Sequence, residues 1–397
     1  MANHSQPVSA SQPKREFEKN VEGFMQRLQH FWQRVTEGMQ LSDMWTQFRA
    51  DARSSYQLYS KEVDSTRVAG VTRGKHFFNV VGQFFWAILE KLSPARRVLL
   101  LIALVLVVLP GGEWTWRTSS GEIKGFVLDF HFAGGLLMFA LLLLEVGDRV
   151  VMKRDLQIAK EIQAWLLPAN PPAIPGLEIA FATRPANTVA GDYYDVFARP
   201  AAEGKGGTFL IAVADVAGKS IPAAMLMATF QASLKTISAT PGTLIDLVSR
   251  MNRYVCSNSQ NGRRFTTAFI AEYDPASRIL DYVNAGHNNP MLRRQSGMIE
   301  RLQAGGVPLG IMQDAKFDMG TATLQSGDWL VIFTDGVIEA ENAGQQEYGE
   351  ERLTAMVHAG ATLTPSQMLN SILIDVVRFE GTAPQHDDVT CMLVKAT

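Results

Sequence analysis

Two uncharged, leucine-rich runs constrain this chain more than any other feature: VLLLIALVLVVLPGG (98–112) and FHFAGGLLMFALLLL (130–144). Each falls a little short of the roughly 20 residues that span a bilayer, and each can be lengthened by an uncharged or aromatic flank. Trp114 and Trp116 follow the first run, and Asp129 and Glu145 bracket the second. A soluble core rarely needs two such runs separated by a short polar segment. The spacing therefore predicts a transmembrane hairpin over 98–146; the alternative is a buried or re-entrant helix pair. Lys91, Arg96 and Arg97 precede the first run, and Arg149, Lys153 and Arg154 follow the second. In the connecting loop Arg117 and Lys124 are offset by Glu113 and Glu122. The basic flanks put both termini in the cytoplasm and predict a multi-pass protein of the inner (cytoplasmic) membrane.

Residues 1–97 read as a helical cytoplasmic region. The polar N-terminus lacks the apolar core of a signal peptide. Phe17, Val21, Phe24, Leu28, Phe31 and Val35 then recur at heptad spacing, which predicts an amphipathic helix, packed in its own bundle or along a dimer seam. The aromatic stretch 77–92, broken by Asn79, Gly82 and Gln83, suits a membrane surface or a lead into the run that follows. Beyond the second run, VMKRDLQIAKEIQAWLL (151–167) predicts a linker helix over 147–168 that stops at Pro168. Its apolar edges, Ile158, Ile162 and Trp165 on one side and Leu156, Ala159 and Leu166 on the other, suit a signalling or dimerising connector, or a plain one. The proline-rich PANPPAIPG (168–176) marks a domain boundary.

From residue 169 to 397 the pattern changes. Segments 177–185, 208–216, 266–274, 278–286, 328–336 and 388–396 are rich in β-branched and aromatic residues. Helical patterns cover 221–240, 241–259, 350–360 and 365–379. Strands with grouped helices and no regular βαβ alternation predict an α+β layered domain. A net charge of −2 gives no bias toward nucleic acid, and Cys256 and Cys391 lack the spacing of a disulfide framework or thiolate metal site.

No covalent nucleophile motif is present: no GxSxG elbow, no CxxxxxR, no P-loop. Instead, aspartates recur at or just beyond apolar strands: Asp192 in AGDYYD, Asp215 in VADVAGK, Asp335 in IFTDGV, and Asp387 and Asp388 in HDDVT. Gly191, Gly218 and Gly336 beside them permit close backbone approach. Carboxylates gathered in one place repel unless a cation neutralises them, and hard oxygen ligands select Mg²⁺ or Mn²⁺. Each aspartate alone reads more readily as a turn or cap residue; four at strand ends, in glycine-bearing motifs, point to a metal-assisted phosphoryl chemistry.

The stretch from about Asp155 onward resembles the SpoIIE-type branch of the PPM metal-dependent phosphatases, related to protein phosphatase type 2C. The resemblance is carried in order by 156–168, RPANTVAGDYYDVF (184–197), VADVAGKSIPAAMLMA (213–228), FTTAFIAEYD (265–274), NAGHNNPML (284–292), GGVPLGIM (305–312), GDWLVIFTDGVIEAEN (327–342) and HDDVTCMLV (386–394). It implies an α-β-β-α sandwich of two antiparallel sheets flanked by helices over 169–397, with two Mn²⁺ or Mg²⁺ ions at one end. By the same resemblance, Asp215 bridges both cations with the Val216 carbonyl beside it. Asp335 and Asp387 are direct ligands, and Asp192 acts directly or through water. Asp388, Gly191 and Gly336 support them from behind, and Asp195 is a structural cap. Arg184 and Lys219 are candidate phosphate contacts, each weighed against a salt-bridging or turn-holding role; His287 and His386 fit structural roles better. Implied substrates are phosphoserine or phosphothreonine on a small regulatory protein resembling an anti-sigma-factor antagonist. The implied assembly is a homodimer through the N-terminal and linker helices. Ala190, Ala217 and Ser220 depart from the usual pattern, which has glycine at the first and last and serine at the second. Two other readings remain: a catalytically silent membrane scaffold that binds a phosphorylated partner, and a phosphoesterase of small molecules.

Overall fold

The structure is a computed structural model that describes residues 92–117, 123–200, 207–259 and 264–397, together with Trp86 and Leu89. The expected heptad helix and most of the 77–92 stretch lie outside the described residues. The chain divides into two compact units between Glu145 and Val146.

In the first unit, helix α1 (Pro94–Val108) opens on a proline at its first position, where the missing N–H costs nothing. An antiparallel hairpin follows, β1 (Gly112–Arg117) and β2 (Ile123–Leu128), paired Gly112 to Leu128 through Arg117 to Ile123. Helix α2 (Phe130–Leu166) starts in this unit and runs into the second. Gly134 allows α2 to lie close on α1: a Cβ there would stand 2.8 Å from Val107 Cγ2 and 2.9 Å from the Ala103 carbonyl. Arg96 pairs with Glu145 at 3.3 Å.

The helix lengths change the expectation of two spans. Among the described residues, one helix, α2, is long and apolar enough to cross a membrane, and its most apolar stretch is almost wholly exposed. Helix α1 has 15 residues, about 22 Å of rise against a hydrocarbon core of about 30 Å. The linker expected over 147–168 is not a separate element either. No proline interrupts the chain from Phe130 to Leu166, so the apolar run and the linker form one 37-residue helix. It ends just before Leu167 because Pro168 disfavours the helical conformation in the residue preceding it.

The second unit holds two sheets. Strands β3 (Leu177–Arg184), β4 (Tyr193–Arg199) and β5 (Thr208–Val216) lead to helices α3 (Ser220–Ser238) and α4 (Leu244–Asn258). Next come β6 (Thr266–Asp274), β7 (Ile279–Ala285), β8 (Met291–Arg293), β9 (Ile299–Arg301), β10 (Gly305–Gly306), β11 (Gly320–Thr323) and β12 (Trp329–Phe333). The one-turn α5 (Asp335–Ile338), α6 (Gly349–Ala359), α7 (Pro365–Glu380) and β13 (Val389–Ala396) close the chain. One sheet runs β10-β7-β6-β5-β4 with β11 also on β7; the other runs β3-β13-β12-β8-β9. All pairings are antiparallel except β10 with β7.

Strand alternation builds the layers. Ile211 and Val213 of β5, Phe269 and Ala271 of β6, Leu330 and Ile332 of β12 and Met392 and Val394 of β13 meet between the sheets. Their neighbours Leu210, Ala212 and Ala214 face Met227, Phe230 and Leu234 of α3 and Leu247 and Met251 of α4. Val331, Phe333 and Leu393 face Leu353 and Val357 of α6 and Ile372 and Val376 of α7. These strands are buried on both faces, so they read as near-continuous apolar runs, and each fully buried large side chain contributes roughly 1.5–3 kcal/mol. Thr243 with Asp246 and Thr364 with Gln367 form capping boxes that start α4 and α7. The result is the α-β-β-α sandwich expected.

Candidate active site

The inner face of each central strand turns polar at the same end of the sandwich. Keeping the two-residue period, Val196 and Tyr194 lead to Asp192, Ile211 and Val213 to Asp215, and Phe269 to Thr267. In the other sheet Leu330 and Ile332 lead to Thr334, and Val394 and Met392 to Thr390 and Asp388. Register puts these positions together: Tyr193 pairs with Ala214, Asp215 with Thr267, and Phe333 with Cys391. Asp335 opens α5 two residues after β12 ends, and Asp387 precedes β13 by two residues. Four strand ends from two sheets thus bring Asp192, Asp215, Asp335, Asp387 and Asp388 to one edge.

The carboxylates sense one another. Burial, then the charges of Asp335, Asp387 and Asp388, push Asp215 up to about 7, with a hydrogen bond to Asp192 partly opposing the rise. Asp192 is 1% exposed and is raised well above the usual carboxylate range, first by burial and then by Asp215. Thr334 Oγ1 donates to Asp192 Oδ2 at 2.9 Å and restrains that rise. Asp335 is raised by burial and by Asp387, and Asp388 by burial, against the backbone N–H groups that favour its charge. Those N–H groups belong to Ala186, 2.7 Å from Oδ1, and Gly191, 2.6 Å from Oδ2. Asp388 therefore holds the loop that delivers Asp192.

Two glycines allow the close fit. A Cβ on Gly336 would sit 2.1 Å from the Asp388 carbonyl oxygen, and one on Gly191 would stand 3.2 Å from the Val216 carbonyl oxygen. Lys219 pairs with Asp387 at 2.9 Å and also donates to the His386 carbonyl. Both lie on a hollow of about 150 Å³ whose rim includes Glu339, Glu341 and Glu347. Arg184 Nη2 stands 2.6 Å from both oxygens of Glu380, which ties its guanidinium to α7. Asp195 is buried away from the cluster, accepting from the Tyr193 hydroxyl at 3.0 Å and pairing with Lys235 at 2.9 Å. His287 is buried in the loop between β7 and β8.

Among the described residues no three His, Cys, Asp or Glu side chains are arranged to hold a metal ion as they stand. Asp387 is engaged by Lys219 and Asp388 by backbone. The donor chemistry nevertheless fits a hard divalent cation: several carboxylates raise one another's proton affinity, and the one ammonium among them bonds a carboxylate that a cation would otherwise take.

Two supporting groups escape a reading of motifs. Thr334 is found by following the two-residue period of β12 one step past its last inner-facing apolar residue. Gln163 of α2 bonds both backbone groups of Ala190; on an amphipathic helix a glutamine normally faces water, and nothing in the pattern marks it.

Two facing antiparallel sheets, helices on both outer sides and an acidic edge where strand ends meet define a PP2C-type sandwich. The SiaA-PP2C domain of Pseudomonas aeruginosa shares this fold at a TM-score of 0.54 and 20% identity, over 63% of this chain and 98% of that domain. The family described as Stage II sporulation protein E (SpoIIE) matches residues 205–397. The chain is 28% identical to Protein IcfG of Synechocystis sp. over 285 residues and 28% identical to phosphoserine phosphatase RsbU of Bacillus subtilis over 252 residues. Each match takes in 63% of this chain, but 42% of IcfG and 72% of RsbU. Residues 205–397 are thus similar to the SpoIIE family, on a fold of the PP2C type.

Proposed function

We propose that this chain is a metal-dependent protein serine/threonine phosphatase that hydrolyses phosphoserine or phosphothreonine on a small regulatory protein of the anti-sigma-factor-antagonist kind. The observation that carries the reading is the convergence of Asp192, Asp215, Asp335 and Asp387 at one end of the inter-sheet layer, with Asp215 raised to about 7 by burial and by its neighbours' charge. The relatives named phosphoserine phosphatases support the substrate class.

In this reading Asp215, Asp335, Asp387 and the Val216 carbonyl hold two Mg²⁺ or Mn²⁺ ions, with Asp192 directly or through water. Such ions, when bound, supply the charge that draws a phosphoryl group and acidifies a water for in-line attack. The protein's own part is positioning. Thr334 fixes Asp192, Asp388 fixes the loop before it, and Lys219 sits on the rim where a phosphoryl oxygen arrives. Membrane attachment through α2 and dimerisation along the exposed Ile158, Ile162 and Trp165 edge belong to the same proposal. So do the boundaries at 97, 146 and 168.

The test is phosphate release by the full chain in detergent from a phosphoserine peptide, with Mn²⁺ and with EDTA. Activity that needs Mn²⁺ and disappears in Asp215→Asn supports the reading. Release that persists in EDTA refutes the metal assignment. Phosphopeptide binding without turnover would favour the silent scaffold.

A further inference from the structure

His287 is not a member of the carboxylate cluster, yet it occupies the polar end of the layer between the sheets. It is 6% exposed, and it belongs to the loop 286–290 that carries the chain from β7 in one sheet to β8 in the other. The loop is locked at its base. Asn284 Oδ1 accepts the His287 N–H at 2.7 Å, and Asn284 Nδ2 donates to Asn289 Oδ1 at 3.0 Å. That lock aims the ring in a fixed direction. Nδ1 stands 3.0 Å from Thr267 Oγ1, and Thr267 pairs directly across the ladder from Asp215. The other nitrogen, Nε2, is buried without a hydrogen-bond partner, and the backbone of Phe333, two residues before Asp335, is the polar group near the ring that favours its charge. A buried ring nitrogen without a partner costs free energy, so its retention needs a reason.

We propose that His287 is a positioning residue for the metal-site carboxylates, a neutral imidazole strut from Thr267 in one sheet to the Phe333 carbonyl in the other that sets the separation of Asp215 and Asp335. A carbonyl only accepts, so Nε2 carries the proton and Nδ1 accepts from the Thr267 hydroxyl. Burial supports the neutral form, holding the imidazole down at about 4. The strut rests on the phosphatase reading, since the spacing it sets matters only if the two carboxylates share bound cations. Groups that orient ligands without touching the ion typically change metal affinity by about 10-fold to 100-fold when removed.

The experiment uses the full chain in detergent and titrates Mn²⁺ by calorimetry into wild type, His287→Phe, His287→Gln and Thr267→Val. His287→Phe fills the space without hydrogen bonds and is expected to weaken Mn²⁺ binding about tenfold or more while unfolding stays cooperative. His287→Gln, which keeps a side-chain N–H, is expected to recover part of that loss. Nitrogen-15 shifts of the wild-type ring are expected to report the neutral Nε2–H tautomer from about pH 5 to 8. Affinity in His287→Phe within about twofold of wild type, or a proton on Nδ1, overturns the proposal. If His287→Phe does not fold, Thr267→Val decides, because it keeps the ring and removes one end of the strut; unchanged affinity there overturns it equally. Wild type that binds no Mn²⁺ refutes the proposed function itself, a result distinct from wild type and His287→Phe binding alike.

Discussion

The side-chain amide of Gln163 closes a two-bond ring with the backbone of Ala190: Nε2 donates to the carbonyl at 2.7 Å, and Oε1 accepts the N–H at 2.9 Å. Gln163 is near the end of the long helix α2, and Ala190 is two residues before Asp192. Both residues are buried, so water cannot replace either bond. The C-terminal part of α2 is thus fastened to the loop that carries a candidate ligand.

Removing the amide tests that fastening. Gln163→Leu leaves the Ala190 N–H and carbonyl buried and unpaired, at a cost of roughly 1–3 kcal/mol each in the unrelaxed structure. The expected outcome is a lower denaturant midpoint and about tenfold weaker apparent Mn²⁺ affinity in phosphatase assays, as for other groups that support ligands. Gln163→Glu keeps the acceptor but turns an oxygen toward the Ala190 carbonyl, so it should be no better than leucine. Wild-type Mn²⁺ dependence in both variants would detach α2 from the site.

The raised Asp215 makes a prediction about pH. Its folded value of about 7 lies above the ordinary carboxylate value of 3.8, so between those limits the folded state binds more protons than the unfolded. Metal-free protein therefore loses stability as pH rises from about 4 to about 7, by roughly 1–4 kcal/mol if nothing relaxes. Asp192, raised in the same direction, adds to the loss. Thermal melts of metal-free chain should fall across this window, Mn²⁺ should remove the fall, and Asp215→Asn should flatten it while abolishing turnover. A melting temperature that climbs over the same range contradicts the electrostatic picture.

Arg184 separates a structural role from a substrate role. Its guanidinium meets both oxygens of the buried Glu380. Removing one partner strands the other, and the Arg184 side chain is 30% exposed, so Arg184→Ala and Glu380→Ala should each destabilise by roughly 1–3 kcal/mol, and the double variant by less than their sum. The KM of Glu380→Gln for a phosphopeptide should match wild type. A KM rise confined to Arg184 variants of undiminished stability would instead make it a phosphate contact.

Much of this site was legible because the strand period continues through it. Ile211, Val213 and Asp215 share one face, as do Leu330, Ile332 and Thr334, so an apolar alternation that ends on an oxygen-bearing residue announces a polar edge. The six strand segments and four helices read from patterning all occur, because each has a doubly buried run or a capped amphipathic face. Strand β4 was not separable from its motif, since YYDVF lies beside a loop glycine and buries an aspartate within the strand. The short β8 to β11 carry too few residues for any period. Helix length escaped too: apolar run and linker differ in composition, but no breaker separates them, and backbone hydrogen bonding ignores composition. The partners of Gln163 and Arg184 lie 27 and 196 residues away, which no local pattern encodes.

Ser220 carries a small conformational cost. Its φ is 62°, in the left-handed region, at a position where the resembling family uses glycine. A side chain there costs roughly 1–2 kcal/mol. Ser220→Gly should raise the unfolding free energy by about 1 kcal/mol, read from the denaturant midpoint, after the entropy that glycine adds to the unfolded chain. Lower stability on this change would mean the serine makes a compensating bond.

Thr334 gives the sharpest test of how the site holds its most buried acid. Its hydroxyl donates to Asp192 Oδ2 at 2.9 Å and accepts the Thr390 N–H at 3.1 Å, so one oxygen serves a carboxylate and a strand backbone. Thr334→Val preserves shape and removes both bonds. The stranded Thr390 N–H should cost roughly 1–3 kcal/mol of stability. Asp192 loses a bond that favours its charged form, so its proton affinity rises further and a cation must displace that proton to use the carboxylate. Activity should then need more Mn²⁺, and the requirement should ease as pH increases. Thr334→Ser, which keeps the hydroxyl, should restore the Mn²⁺ dependence even if the lost methyl costs some stability. Equal Mn²⁺ dependence in valine and serine variants at every pH would show that Asp192 serves the sandwich and not the cations.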